Sequence, residues 1–233
     1  MLTADDMLNF LSRQLSNKEI EYFKHHPEEL IRKMDGITTE VTVLFCDIVG
    51  FTRFSEKHDL RKVRMLLKTT LPSITEEIRQ SGGAVDKYIG DAVMAIFGAP
   101  EYPRPELDLV VWAAFRMHER IDELEKNLKA LGISPQKIKV GICTGEIVFV
   151  RLEDYHHVEL TVIGKTVNRA ARLSTLSDEQ RVFIDEETYK RLSPTMKDNC
   201  LDKKLFNERG CKFYYYPLEH WPSYFVSGRL IKF

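Results

Sequence analysis

The sequence predicts an α+β fold: a ferredoxin-like βαββαβ core, preceded by an N-terminal helical segment and followed by a C-terminal αβ extension. The apolar run VTVLFC at residues 41–46 is typical of a strand buried on both faces. Two long segments with helical spacing, 59–80 and 105–131, flank an apolar hairpin at 85–98. A further apolar run at 137–150 completes the order strand, helix, hairpin, helix, strand, which defines that core.

The first forty residues predict three helices. An apolar stripe at helical spacing indicates the first, formed by Met7, Leu8, Leu11 and Leu15. The capping box SNKE at 16–19 begins the second, and Pro27 suits the first turn of a third helix that Gly36 ends. This segment could pack on a partner helix or on its own domain, and the sequence leaves both open.

The remaining elements follow from caps and breakers. The helix at 59–80 ends at the Gly82-Gly83 stop, and Pro72 predicts a kink or a restart within it. Beyond the core we expect strands at 161–163, 181–184 and 213–218, with helices at 166–176 and 185–192, the latter capped by Asp185. The predicted organisation is a helical segment at 1–38, a catalytic domain at 39–220 and a tail at 221–233.

Composition excludes several classes of function. The 233 residues are 43% hydrophobic and carry a formal net charge of -1, so one main domain is expected and nothing favours nucleic-acid binding. No apolar run is long enough to cross a membrane and the N-terminus lacks signal-peptide features, which predicts a soluble cytoplasmic protein without membrane insertion. The cysteines, Cys46, Cys143, Cys200 and Cys211, show no zinc or disulfide spacing, and the first two are expected to pack in the core.

Two aspartates are candidates for a metal site. Asp47 directly follows the first strand and precedes a turn at Gly50, while Asp91 lies in the Gly-Asp turn of the hairpin. Either one alone is most simply a turn former. The predicted strand order, however, brings both to one edge of the sheet, where two carboxylates suit magnesium and a phosphoryl-transfer site.

A second cluster occupies residues 161–172. Asn168 and Arg172 stand at i and i+4 and share one face of the helix that Thr166 begins, while Ala170 and Ala171 permit close packing on the other side. An exposed arginine on a helix is ordinarily only solvated. Here the context favours a function.

Four blocks, 41–52, 82–100, 140–146 and 161–173, together resemble the catalytic domain of class III nucleotidyl cyclases, most closely the bacterial and soluble adenylyl cyclase branch. The resemblance covers roughly residues 40 to 195 and implies the class III cyclase fold. It also implies a nucleoside triphosphate substrate, two Mg²⁺ ions per site with Mn²⁺ able to substitute, and a homodimer whose two sites are each built from both chains.

The resemblance implies a role for each matching residue. The metal-binding residues are Asp47, Ile48 and Asp91. The residues that bind the base are Lys87 and Thr161, so Lys87 and Asp91 of one hairpin serve different sites. Asn168 orients the ribose, and Arg172 neutralises charge that grows on the α-phosphate as the 3′-hydroxyl attacks and pyrophosphate leaves. The phosphates are held by backbone amides of Val49, Gly50, Phe51 and Thr52 and by the side chain of Lys139.

The base pocket favours ATP and cyclic AMP. Lys87 only donates and can bond adenine N1, while the Thr161 hydroxyl can accept from the exocyclic amine. Guanine offers an N–H where the lysine donates, which disfavours GTP. Cytosine shows the same edge as adenine, so a cyclase that makes a cyclic pyrimidine nucleotide from CTP stays open. Uracil resembles guanine at this edge, and UTP stays open for a pocket that does not use Lys87. So does a catalytically silent module for dimerisation or nucleotide binding.

Three segments depart from the family pattern. The run IVFVRL at 147–152 is bulky where the family has a small glycine-containing segment, and it precedes His156 and His157, which are expected to be solvated. Lys165 stands where an acidic residue is common. A phosphate-binding residue near the C-terminus could be Arg209 or Lys212. Neither the activator nor the role of the first forty residues follows from the sequence.

Overall fold

The computed structural model describes residues 7–8, 17–98, 105–134, 136–153, 158–176, 181–198, 201–202 and 213–217. The helices are α1 (Asn17–His25), α2 (Pro27–Met34), α3 (Phe51–Lys57), α4 (Leu60–Gln80), α5 (Pro105–Ala130), α6 (Lys165–Leu176), α7 (Glu186–Arg191) and α8 (Pro194–Asp198). The strands are β1 (Thr38–Ile48), β2 (Gly83–Ile89), β3 (Ala92–Phe97), β4 (Ile138–Glu153), β5 (Val158–Ile163), β6 (Arg181–Asp185), β7 (Leu201–Asp202) and β8 (Phe213–Pro217).

One sheet organises the fold. Its strand order is β2-β3-β1-β4-β6-β8-β7, and β5 pairs with β4 outside this path. The first four strands are antiparallel to their neighbours, and α4 and α5 connect them in the predicted βαββαβ order. In the extension β6 pairs parallel to β4 and antiparallel to β8. The predicted fold class is confirmed.

Strand β1 is buried on both faces, as its continuous apolar run predicted. Leu44, Cys46 and Ile48 belong to a core shared with α4 and α5, which we call the α4/α5 core. Val43 and Phe45 belong to a second core on the opposite face, shared with α2 and α6, which we call the α2/α6 core. Both faces of the central strand are therefore covered by helices.

The N-terminal segment packs on its own domain. Met7 and Leu8 are buried in the α2/α6 core together with Leu30 and Met34 of α2. The Gly36 N–H donates to the carbonyl of Phe149 at 2.8 Å, which ties the end of this segment to β4. Of the two alternatives open from sequence, the described part of the segment therefore takes the intramolecular one.

Two local features refine the predictions. Of the kink or restart predicted at Pro72, the restart does not occur, because helix α4 runs from Leu60 to Gln80 with the proline inside it. The hydroxyls of Ser73 and Thr75 donate to the carbonyls of Thr69 and Pro72, at 3.0 and 3.1 Å, and so satisfy backbone acceptors beside the proline. The turn predicted at Gly50 leads directly into a helix that was not predicted, α3 at Phe51–Lys57.

The bulky run at 147–152 is part of a strand. β4 continues to Glu153 and pairs antiparallel with β5 along residues 148–153. Cys46 and Cys143 are buried in the core, as predicted. The predictions for His156, His157, Arg209 and Lys212 lie outside the described residues, as do those for Leu11, Leu15, Cys200 and Cys211.

No helix in the described ranges has both the length and the apolar character needed to span a membrane. The cytoplasmic location and the domain limits stay predictions.

Candidate active site

The two predicted metal-binding carboxylates lie together at one edge of the sheet. β1 pairs with β3 up to Cys46 and Val93, which puts Asp47 beside the β2–β3 turn that carries Asp91. Burial, followed by hydrogen bonding and charge repulsion from Asp47, raises the pKa of Asp91. The Ile48 amide also bonds the Asp91 carboxylate. The structure therefore brings the two carboxylates together at one edge, and their role as metal ligands stays a prediction.

The carboxylate pair suits a hard divalent cation. Two adjacent carboxylates repel each other when both are ionised, and a bound cation would remove that repulsion. No group of three or more His, Cys, Asp or Glu side chains that could hold a metal occurs in the part of the chain that the structure describes. Magnesium typically takes one or two protein carboxylates and completes its shell with water and substrate phosphates, so this donor set fits it.

Lys139 lies directly beside the pair. It is the β4 register partner of Asp47, and its Nζ is 3.6 Å from Asp47 Oδ2. The side chain is mostly buried, 18% exposed, so its charge acts at the carboxylate edge rather than in bulk solvent. The predicted phosphate-binding lysine is therefore positioned next to the predicted metal ligands.

The turn after β1 offers fewer amides than expected. Gly50 adopts a left-handed conformation with φ 73°, which allows β1 to turn directly into α3. The Val49 N–H donates to the Lys137 carbonyl at 2.8 Å, just beyond the paired ends of β1 and β4, and so already has an acceptor. Phe51 and Thr52 stand in the first turn of α3, where N–H groups have no intrahelical acceptor. The candidate phosphate-binding amides are thus those of residues 50–52, without Val49.

The two predicted base-binding residues meet through a third residue, Asp86. The Thr161 hydroxyl donates to Asp86 Oδ2 at 3.1 Å, and Lys87 Nζ is 3.9 Å from the same oxygen. Lys87 also forms an ion pair with Glu159. One chain therefore brings Lys87 and Thr161 to the same place, with the carboxylates of Asp86 and Glu159 near the lysine.

Asp86, which contacts both predicted base-binding residues, is buried to a degree unusual for a carboxylate. It is 1% exposed, and burial raises the pKa of its carboxyl to about 6. Its Oδ1 is buried and has no hydrogen-bond partner among the residues that the structure describes. It also occupies a register shift between Val85 and Lys87 in the pairing of β2 with β3. A bulge of this kind re-aims side chains.

Asp86 and Glu159 were missed from sequence. A carboxylate inside the apolar strand at 83–89 needs a partner, which was a usable signal. Glu159 stands two residues before Thr161, so both lie on one face of β5. Neither signal identifies the partner, because Asp86 and Thr161 are 75 positions apart.

Asn168 and Arg172 share an exposed face of α6, as predicted. Neither side chain has a hydrogen bond or ion pair to any described residue. Arg169 differs from them, because its guanidinium forms an ion pair with the buried Asp185 at 3.0 Å. Inside one chain, the described contacts do not connect Asn168 or Arg172 to the carboxylate pair. They form a separate group.

The fold and these groups define the class of protein. The Adenylate and Guanylate cyclase catalytic domain family matches residues 35–219, and the chain belongs to this family of class III cyclases. The chain is 30% identical to an adenylate cyclase of Anabaena cylindrica over 192 residues, which is 80% of this chain and 37% of that protein. It is 31% identical over 166 residues to the terminal-differentiation specific adenylate cyclase of Dictyostelium discoideum, covering 70% of this chain and 8% of that one.

Solved structures of cyclases share the fold of this chain. The adenylyl cyclase CyaB from P. aeruginosa superposes with a TM-score of 0.70 at 29% identity, covering 78% of this chain and 95% of that one. The guanylyl cyclase Cya2 shares the fold, with a TM-score of 0.68 at 23% identity over 78% of this chain and 92% of that one. The chain spans well under half the length of the two curated relatives named above.

Proposed function

We propose that this chain converts ATP to 3′,5′-cyclic AMP and pyrophosphate at sites shared between the two chains of a homodimer. The observation that carries the proposal is the contact of Lys87 and Thr161 with one carboxylate, Asp86, in a chain of the cyclase family. The lysine supplies a donor for adenine N1, and the threonine oxygen supplies an acceptor for the adjacent amine.

The second part of the proposed site is the carboxylate pair of Asp47 and Asp91, which would hold magnesium. Asp47, Asp91 and the carbonyl of Ile48 would hold the ions, which lower the pKa of the 3′-hydroxyl and neutralise phosphate charge when bound. Lys139 and the amides of residues 50–52 carry positive or partly positive charge at the same edge. They are suited to bind the β- and γ-phosphates.

Asn168 and Arg172 supply the remaining functions. We expect the Asn168 amide to bond the ribose and thereby orient the 3′-hydroxyl toward the α-phosphorus. The Arg172 guanidinium would stabilise the charge that develops on the α-phosphate oxygens. Because that charge is greatest in the transition state, Arg172 is expected to contribute more to kcat than to binding.

A homodimer is supported by the separation of these groups. In one chain Asn168 and Arg172 are exposed and unpaired among described residues, while the carboxylates lie elsewhere. Large apolar side chains are exposed next to both groups: Tyr88 and Ile89 beside the Asp91 turn, and Ile163 before α6, each about half exposed. Burial of these side chains against a second copy would be favourable. A second copy would bring the two groups together.

The test is to incubate the purified protein separately with ATP, GTP, CTP and UTP, each with magnesium or manganese, and to identify cyclic products by mass spectrometry. Cyclic AMP as the main product is the expected result. A cyclic pyrimidine nucleotide as main product would retain the metal site and overturn the assignment of the base. No cyclic product from any nucleotide with either metal would contradict the proposed activity and favour a silent nucleotide-binding module.

A further inference from the structure

The direction of one hydrogen bond sets what Thr161 can offer a ligand. A threonine hydroxyl has one proton and two acceptor lone pairs. In this structure the proton is donated to Asp86 Oδ2 at 3.1 Å. Toward any other group, the Thr161 oxygen can therefore act only as an acceptor while this bond is kept.

Asp86 holds this direction because an ionised carboxylate has no proton to donate. Its pKa is about 6, so the carboxyl is ionised at neutral pH and above. Lys87 Nζ, 3.9 Å from Oδ2, favours the same state. The bond cannot reverse unless Asp86 takes up a proton.

The placement of Asp86 is costly for a purely structural residue. The side chain is buried, its Oδ1 is unsatisfied in the described chain, and the strand bulges where it occurs. An unsatisfied buried carboxylate oxygen destabilises a fold and calls for an explanation. An apolar residue would pack at this position without that penalty.

We propose that Asp86 is a positioning residue for nucleotide selection, which fixes the Thr161 hydroxyl as an acceptor and thereby selects bases that carry an amine beside a ring nitrogen acceptor. The inference rests on the proposed function and extends it to a residue that does not itself touch the base. Adenine and cytosine carry that edge. Guanine and uracil present a carbonyl to Thr161 and an N–H to Lys87, so both contacts fail.

Replacing Asp86 by Asn tests this directly. An amide can donate to the Thr161 oxygen, which frees the hydroxyl proton for a carbonyl of the base. We expect Asp86→Asn to lower the ratio of kcat/KM for ATP to that for GTP by about tenfold, in assays at pH 8. If the protein uses CTP, the same comparison is made between CTP and UTP.

Three further variants separate positioning from a general structural effect. Thr161→Ser keeps a hydroxyl and should keep the wild-type preference. Thr161→Val removes the hydroxyl through which Asp86 acts, so adding Asp86→Asn to Thr161→Val should leave the ratio unchanged. Equilibrium binding of ATP and GTP, measured by calorimetry with calcium in place of magnesium, should show the same pattern in Kd.

The outcomes distinguish this inference from the proposed function. A wild type that prefers ATP in binding but makes no cyclic product contradicts the activity alone, and the binding ratios of the variants still decide the role of Asp86. The inference is overturned if Asp86→Asn changes ATP and GTP equally, if its effect persists beside Thr161→Val, or if the wild type binds neither nucleotide.

Discussion

Two arginines on α6 show how neighbouring residues of one type take different roles. Arg169 forms an ion pair with buried Asp185, which also accepts hydrogen bonds from Thr188 N and Oγ1 at 2.9 and 2.7 Å. Arg172 is exposed and has no such partner among described residues. The first arginine therefore belongs to the fold, and the second is available to a substrate.

This difference gives a matched prediction. Arg172→Ala should lower kcat by roughly 10² to 10³, with a smaller change in KM and an unchanged free energy of unfolding. Arg169→Ala should lower the free energy of unfolding by about 2 kcal/mol, because Asp185 loses its ionic partner. Steady-state kinetics and urea unfolding of both variants check this. Equal loss of stability in the two variants would contradict the assignment.

The raised pKa of Asp86 predicts a pH dependence of stability. Its folded pKa is about 6 against an ordinary value of 3.8, so the folded state retains the proton to higher pH. Stability from this group is therefore present below about pH 4 and is lost as the pH rises toward 6. Asp86→Asn removes the loss, and its stability advantage over wild type should grow by about 2 to 3 kcal/mol from pH 4 to 7.

Urea unfolding at several pH values measures that advantage. Other carboxyls with raised pKa values, such as Asp108 and Asp185, titrate in both proteins and cancel in the difference. Parallel stability curves for wild type and variant would show that Asp86 is not perturbed in the folded state.

At the scale of elements, the contact of α6 with β4 depends on a glycine. A Cβ at Gly141 would lie 2.4 Å from the Ser174 backbone nitrogen and 2.5 Å from the Ala170 carbonyl oxygen. Backbone atoms of a packed helix cannot move aside separately, so the whole helix would have to shift. This close approach determines where α6 presents Asn168 and Arg172.

Gly141→Ala is therefore expected to lower the free energy of unfolding by about 2 to 3 kcal/mol and to reduce cyclase activity. Gly83→Ala is the control, because the three atoms nearest to its Cβ, at 2.4 to 2.8 Å, belong to the side-chain ring of Phe97 and none of them to backbone. We expect a smaller loss of unfolding free energy in Gly83→Ala than in Gly141→Ala. Thermal unfolding and product formation measure both effects, and a larger loss at Gly83 would show that helix position is not the limiting factor.

The helices and strands that could be predicted are those marked by a signal in their own sequence segment. β1 follows from a continuous apolar run, and Asp185 caps its helix as predicted, accepting from the Thr188 N–H of the first turn. Helix α3 was missed, because its seven residues follow a strand end and a glycine that also suit a turn. The contact between Asp86 and Thr161 could not be predicted, since it depends on where β5 lies in the folded chain.

At the scale of the whole molecule, the proposed shared sites predict complementation between inactive variants. Asp91→Ala and Arg172→Ala should each abolish or strongly reduce product. In a mixed dimer one site carries both changes and the other carries neither, so an equimolar mixture should recover about a quarter of wild-type activity. Product formation after subunit exchange measures this.

The control is exchange itself, followed with differently tagged chains. A site contained in one chain would leave a defect in both halves of the mixed dimer. If the subunits exchange and activity is not recovered, the proposal that each site is shared between two chains is rejected.

Strand β4 has a consequence for how this protein can vary in length. Near the beginning of β4, Lys139 pairs with Asp47. Near the end of β4, the Arg151 N–H donates to Asp35 Oδ1 at 2.9 Å. An insertion of one residue in β4 between Lys139 and Arg151 would move every β4 side chain on one side of the insertion to the opposite face of the sheet. Lengthening is therefore confined to segments outside the strand, and its sixteen residues act as a fixed spacing between the N-terminal helices and the carboxylate edge.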